Sequence, residues 1–182
     1  ESAFSGKTIS VMTPYLSSVT TNQMVGYLQE DLQAQGAEVN VIDTANDFAE
    51  LASRIEDVTA AGTDAIVLVS ADPSQLENQL QEAMDAGIPV YGVDSGYIDG
   101  MQVNATSDNY QMGQLIVNYL FDDLMGGEGT VVALTHRPHP GVVKRCEAFD
   151  DLLAQHDGIS LITEQHVPAE QPINDAQDIV QN

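Results

Sequence analysis

With 182 residues the chain exceeds one average domain, and its 28 Asp and Glu against five Lys and Arg, a formal net charge of −23, exclude a nucleic-acid partner, because phosphate binding requires clustered cations. A hydrophobic content of 43% without a low-complexity tract excludes a disordered chain, and no apolar stretch approaches the length that crosses a bilayer. The lone cysteine, Cys146, excludes an intramolecular disulfide and a paired-cysteine metal site.

The opening Glu1-Ser2-Ala3-Phe4 has neither the basic region nor the apolar run of a signal peptide, so an exported chain would already have lost its signal. Residues 8–13 read as a β-branched strand, followed by a helical face of Met24, Val25, Leu28 and Leu32 that stops at Gly36. A strand over 38–43 leads to a second helical face, Phe48, Leu51, Ala52 and Ile55, stopped by Gly62. The strand over 64–69 is followed by Asp72-Pro73, which fits a helix start, and by Leu76, Leu80, Ala83 and Met84 at helical spacing before Gly87. Strands over 88–94 and 101–106 come next, then a helix whose apolar face is read as Met112, Leu115, Ile116, Tyr119 and Leu120. Gly126-Gly127-Glu128-Gly129 precedes the strand over 130–135, so it reads as a turn and not as a phosphate-cradling loop. Cys146 shares an apolar spacing with Val142, Phe149 and Leu153 and reads as a small core residue. A last strand over 159–165 and a helix beginning near Ile173 complete the series. The acids fall in pairs such as Glu30-Asp31, Glu56-Asp57, Asp122-Asp123 and Asp150-Asp151, as solvated helix faces would have them. Such a surface repels itself at low salt, which fits a saline source as well as an ordinary acidic protein.

Strands separated by single helices lie parallel, and the apolar runs 65–69 and 130–134 are those of strands covered on both faces. The expected fold class is α/β, with doubly wound parallel sheets whose ligand crevice lies at the carboxyl ends of the strands. Those ends carry Thr13-Pro14-Tyr15, Asp43-Thr44, Ser70-Ala71-Asp72, Asp94-Ser95 and His136-Arg137. The units divide into a nearly complete first domain, residues 1–106, and a partial second domain, residues 107–182, whose two strands and final helix are not expected to make a sheet with a buried core.

Signatures of chemistry are missing: there is no Gly-x-Gly-x-x-Gly after a strand, no P-loop and no Gly-x-Ser-x-Gly elbow. The chain is therefore read as a non-enzyme without a cofactor. His136 and His139 could share a metal only on a helix, which Pro138 and Pro140 oppose, and no third ligand is identifiable, so no metal is expected.

Four segments carry a resemblance: 8–18 (Thr8-Ile9-Ser10-Val11-Met12-Thr13-Pro14-Tyr15-Leu16-Ser17-Ser18), 62–69 (Gly62-Thr63-Asp64-Ala65-Ile66-Val67-Leu68-Val69), 86–94 (Ala86-Gly87-Ile88-Pro89-Val90-Tyr91-Gly92-Val93-Asp94) and 107–113 (Ser107-Asp108-Asn109-Tyr110-Gln111-Met112-Gly113). In order and spacing they resemble the type I sugar-binding periplasmic binding proteins, and the likeness runs on through Arg145-Cys146-Glu147-Ala148-Phe149. The resemblance implies two hinged α/β domains that close on a small polar ligand and present it to the membrane permease of an ABC transporter. It implies a periplasmic or extracellular location, a monomer when intact, and a chain truncated at its C-terminal side. Carried across, Asp94 matches the acidic ligand residue after the fourth strand, where a carboxylate accepts two sugar hydroxyls. Ser70 and Ser107 match polar contact positions, and Ser18 lies in the first loop of the pocket.

The departures shape the expected ligand. Thr20-Thr21 stands where such proteins commonly place two aromatics, which leaves Tyr15 and Tyr97 as stacking candidates, and Ser95 stands where an arginine often follows the aspartate. Val143 replaces the usual ligand arginine of the second domain; of Arg137, Lys144 and Arg145, Arg137 directly follows a strand end and is the expected donor. The expected function is a solute-binding protein for a small sugar or polyol, with these departures favouring a shape different from that of ribose. The alternative is the effector domain of a lactose-repressor-type regulator, which shares the fold but would begin with a basic helix-turn-helix that nothing before Thr8 could form.

Overall fold

Among the residues that the computed structural model describes, 2–169 and 171–181, strands and helices alternate along the chain. They fall into two compact units, Glu1–Ala105 and Thr106–Asn182. In the first unit, β1 (Thr8–Thr13), β2 (Glu38–Asp43), β3 (Ala65–Val69), β4 (Val90–Val93) and β5 (Val103–Ala105) form one parallel sheet in the order β2-β1-β3-β4-β5. The connections are α1 (Val19–Ala34), α2 (Phe48–Ala60) and α3 (Glu77–Asp85), the last entered through a 3-10 turn over Pro73–Leu76. Asp47 starts α2 by accepting a hydrogen bond from the Glu50 amide at 2.9 Å, and Gly62 ends it with a φ of +75° that a side chain would oppose.

The period-2 alternation of a strand decides which side of the sheet each residue feeds. In β3, Ile66 and Leu68 pack with Met12, Leu51, Ile55, Leu76 and Leu80, whereas Val67 and Val69 pack with Ile9, Val11, Val25 and Val39. Ile66 to Val69, four of the five β3 residues, are buried, so this strand is covered on both faces, as its apolar run predicts. Each such side chain contributes about 1.5–3 kcal/mol when fully removed from water. The composition of β3 thus suits its central position.

In the second unit, β6 (Gly129–Thr135) and β7 (Ile159–His166) pair in parallel. α4 (Asn109–Asn118) continues as a π-helical turn over Tyr119–Leu124, α5 (Pro140–Leu153) joins the two strands, and α6 (Pro172–Gln181) follows them without a buried side chain. Three expectations need correction here. The unit does have a buried core, formed by Val117, Phe121, Val131, Leu152 and Ile159, because the fully buried Phe121 ring fills the space between helices and sheet and meets Phe149 edge-on at 6.0 Å. Conversely, β6 is not covered on both faces: Val132 is 47% exposed and Leu134 39%. An apolar run reports what a strand is made of, and not what lies against it.

The third correction concerns the face expected over Met112–Leu120: the buried positions of α4 are Asn109, Gly113 and Val117, and Leu115, Ile116 and, in the turn after α4, Tyr119 face solvent, whereas Leu120 packs against the core as expected. A Cβ on Gly113 would lie 2.8 Å from the Arg145 carbonyl oxygen and 2.9 Å from the Ala148 Cβ. Gly113 therefore lets α4 approach α5 more closely than any other residue could, and that approach turns the helix away from its more apolar stripe.

Candidate functional site

The carboxyl ends of the first sheet are ordered by short-range hydrogen bonds between loops that are distant in sequence. After β1, the Thr13 hydroxyl accepts from the Tyr15 amide at 3.1 Å, and the Tyr15 ring is buried edge-on against Phe48 at 6.2 Å. After β2, one carboxylate oxygen of Asp43 accepts from the Leu16 and Ala45 amides, and the Asn46 amide donates to the Pro14 carbonyl at 2.6 Å. These bonds stitch the first two loops together. Ser18 occupies the N-cap position of α1 without a side-chain capping bond; its hydroxyl pairs with that of Thr20 at 3.1 Å.

Ser70 and Asp94 follow β3 and β4, whose last residues Val69 and Val93 are paired, so the two sit side by side. Both have positive φ, +58° for Ser70 and +47° for Asp94. Left-handed backbone in residues other than glycine costs on the order of 1–3 kcal/mol and persists only where neighbours over-determine it. For Ser70 the neighbours are the Val93 carbonyl, which accepts its amide at 2.9 Å, and the buried Thr21 hydroxyl 3.0 Å from its own. The Ser70 hydroxyl is fully buried and tied to Thr21, so it supports the sheet end from below. Asp94 is half-buried, with its amide donating to the Ala105 carbonyl at 2.8 Å. Ser95 is buried and donates its hydroxyl to the Ala71 carbonyl, whereas Tyr97 is largely exposed with its phenol on the Met101 carbonyl at 3.2 Å. Of the two stacking candidates, Tyr15 has its ring packed inward and Tyr97 has its ring in solvent.

In the second unit, Ser107 is exposed and accepts on its carbonyl a hydrogen bond from the Asn109 side chain at 3.1 Å. Arg137, at the carboxyl end of β6, is held in a fork by Glu164 of β7, with Nε to Oε1 at 2.6 Å and Nη2 to Oε2 at 2.9 Å, and also reaches Asp150 at 3.1 Å. The Arg137 guanidinium, aided by the Thr135 hydroxyl, holds the Glu164 carboxyl down to about 2, and the same bond to Glu164 raises the already high pKa of Arg137. Lys144 pairs with Glu147, and Arg145 lies on the Met112 sulfur at 3.7 Å. His139 caps α5 by accepting the Gly141 amide at 3.0 Å, and His136 stacks on His166 with ring centroids 5.0 Å apart, so these two histidines serve different partners. Cys146 is buried, and burial pushes its thiol up.

Asp43 was among the strand ends read from the sequence, whereas Glu164 and Asn104 were not singled out. An amide inside a strand, where Asn is depleted, marks Asn104. Glu164 carries no local signal, because its partner Arg137 lies 27 positions away in the turn after β6. A separate apolar groove of about 560 Å³ opens on the face of the first sheet, walled by Phe4, Ile9, Leu28, Leu32, Tyr91 and Val103, and includes none of the expected site residues.

A family model described as a periplasmic binding protein domain matches residues 9–182. The chain is similar to the ribose import binding protein RbsB of Bacillus subtilis, 27% identical over 107 residues, which are 58% of this chain and 34% of that protein. It superposes on an ABC sugar transporter subunit from Rhodobacter sphaeroides with a TM-score of 0.87 at 23% identity, covering 97% of this chain and 62% of the other. It likewise superposes on a Caulobacter myo-inositol binding protein bound to myo-inositol, with a TM-score of 0.84 at 20% identity over 99% of this chain and 62% of that one. The fold is that of a type I periplasmic binding protein, and the chain spans about a third of its curated relative and under two thirds of the solved structures.

Proposed function

This chain belongs to the family of periplasmic binding protein domains, and from that premise we propose that the protein is an extracytoplasmic solute-binding protein that captures a small sugar or polyol between two hinged domains. The observation that carries the reading is Asp94: an acidic residue at the carboxyl end of β4, held with positive φ beside Ser70 where a parallel sheet delivers its loops. A carboxylate there accepts two hydroxyl hydrogen bonds from a polyhydroxylated ligand, and charge-assisted bonds of this kind are the strong ones. Capture needs no covalent step, since ligand contacts from both domains favour a closed population. The permease of an ABC transporter is the proposed partner, the protein acts as a monomer, and its compartment is periplasmic or extracellular. The relatives named for ribose and myo-inositol support this solute class.

Ser18, Ser107 and Arg137 are the further proposed contacts, with the buried Tyr15 and Ser70 acting through the loops they hold and not as direct contacts. Arg137 meets a ligand as part of its fork with Glu164 and not as a bare cation. Calorimetry with D-ribose, xylitol and myo-inositol on the intact protein, with both domains whole, tests the reading. At least one should bind, and Asp94→Ala should weaken that binding by more than about 1.5 kcal/mol, as expected for lost hydrogen bonds to a charged group. Undiminished affinity in the variant would remove Asp94 from the site, and heat from none of the three would count against the solute class.

A further inference from the structure

Asp94 is held in its left-handed conformation by residues on either side of it, and the least obvious of them is Asn104. Asn104 sits on β5 opposite Gly92 of β4. Its side-chain amide reaches past β4 and bonds both backbone groups of Ser95: Nδ2 donates to the Ser95 carbonyl at 2.7 Å, and the Ser95 amide donates to Oδ1 at 3.2 Å. This pair of bonds imitates one rung of a β ladder after β4 itself has ended at Val93. The rung is possible because residue 92 is glycine. A Cβ there would lie 2.6 Å from the Asn104 Oδ1 and 3.1 Å from its Cγ, so any side chain at 92 would displace the amide. Ser95 is fixed a second time by its hydroxyl on the Ala71 carbonyl, and the amide of Asp94 is fixed by the Ala105 carbonyl at 2.8 Å. Asp94 thus has its own amide held by Ala105, and the next residue held through both backbone groups by Asn104 and through its hydroxyl by Ala71.

From this geometry we infer that Asn104 is a positioning residue for the solute site: its side-chain amide, seated over Gly92, holds the Asp94–Ser95 backbone so that the Asp94 carboxylate is aimed before ligand arrives. The inference rests on the proposed role of Asp94 in binding. Preorganisation of this sort contributes affinity by removing the cost of ordering the contact at the moment of capture. Asn104 and Gly92 act as one unit, and neither needs to touch the ligand.

The test uses Asn104→Leu, which removes both bonds, and Gly92→Ala, which leaves Asn104 in place but pushes its amide aside. Each should lower affinity for whichever of D-ribose, xylitol or myo-inositol binds by about tenfold, within the range of coupled neighbouring residues. In an Asp94→Asn background, whose amide side chain tolerates the left-handed backbone, the loss caused by Asn104→Leu should shrink below about twofold. Equal losses in both backgrounds would reduce Asn104 to a general structural role, and unchanged affinity in the single variant would overturn the inference. A ligand-free readout separates this outcome from failure of the binding proposal. In Asn104→Leu the Ser95 amide should lose at least about tenfold of its hydrogen-exchange protection, and the φ-dependent coupling of the Asp94 amide should change. If neither moves, Asn104 does not position Asp94, whatever the three solutes do.

Discussion

The fork between Arg137 and Glu164 makes a pH-dependent contribution whose sign follows from the direction of the shift. The Glu164 carboxyl is held down to about 2 from an ordinary 4.5, so its bonds to Arg137 and Thr135 stabilise the fold fully above the ordinary value and are lost as pH falls toward 2. Thermal melts between about pH 5 and 2 should therefore fall more steeply for the natural chain than for Glu164→Gln, which keeps the shape of the fork but has no proton to take up. Parallel curves for the two would show that the fork contributes nothing to stability. Asp94 and Arg137 could be singled out because each lies just beyond a strand, whose end can be read locally, and the ligand role expected of Asp94 came from the family resemblance. Their partners could not be so read. Ser70 bonds Thr21, 49 positions away, and Arg137 bonds Glu164, 27 positions away, and no short-range pattern contains such pairings.

Among the elements, the glycines of the helices make the sharpest contrast. Gly113 faces the Arg145 carbonyl so closely that Gly113→Ala must move α4 from α5, with an expected loss of about 1–3 kcal/mol from overpacking. Gly26, inside α1, has nothing within 4 Å of the place a Cβ would take, so Gly26→Ala should stabilise by about 0.5–1 kcal/mol through helix propensity alone. Urea unfolding of the two variants checks both signs, and a stabilised Gly113→Ala would refute the close approach. The same contrast explains which elements could be read in advance. The strands and the helices of the first unit announced themselves because burial there follows the apolar period, as in Leu51 and Ile55 of α2. Across α4 and the turn after it the period pointed to Met112, Leu115, Ile116, Tyr119 and Leu120, and the close seat of Gly113 against α5 left Leu115, Ile116 and Tyr119 in solvent.

For the molecule as a whole, 28 acidic residues against five basic ones place a strong self-repelling field around the fold. The ion pairs described here, such as Lys7 with Asp64 and Arg54 with Glu50 and Asp57, offset few of those charges. Raising ionic strength from about 0.01 to 0.15 M shortens the Debye length from about 30 to about 8 Å, so the melting temperature should rise over that interval. A flat or falling response would mean that favourable pairs outweigh the repulsion. The exposed Val132, Leu134 and Ile162 along β6 and β7 give that screening a second edge. Salt that steadies each copy also weakens the mutual avoidance that keeps bare strand surfaces from adhering, so the buffers in which this polypeptide is hardest to melt are also those in which it is hardest to keep clear of precipitate.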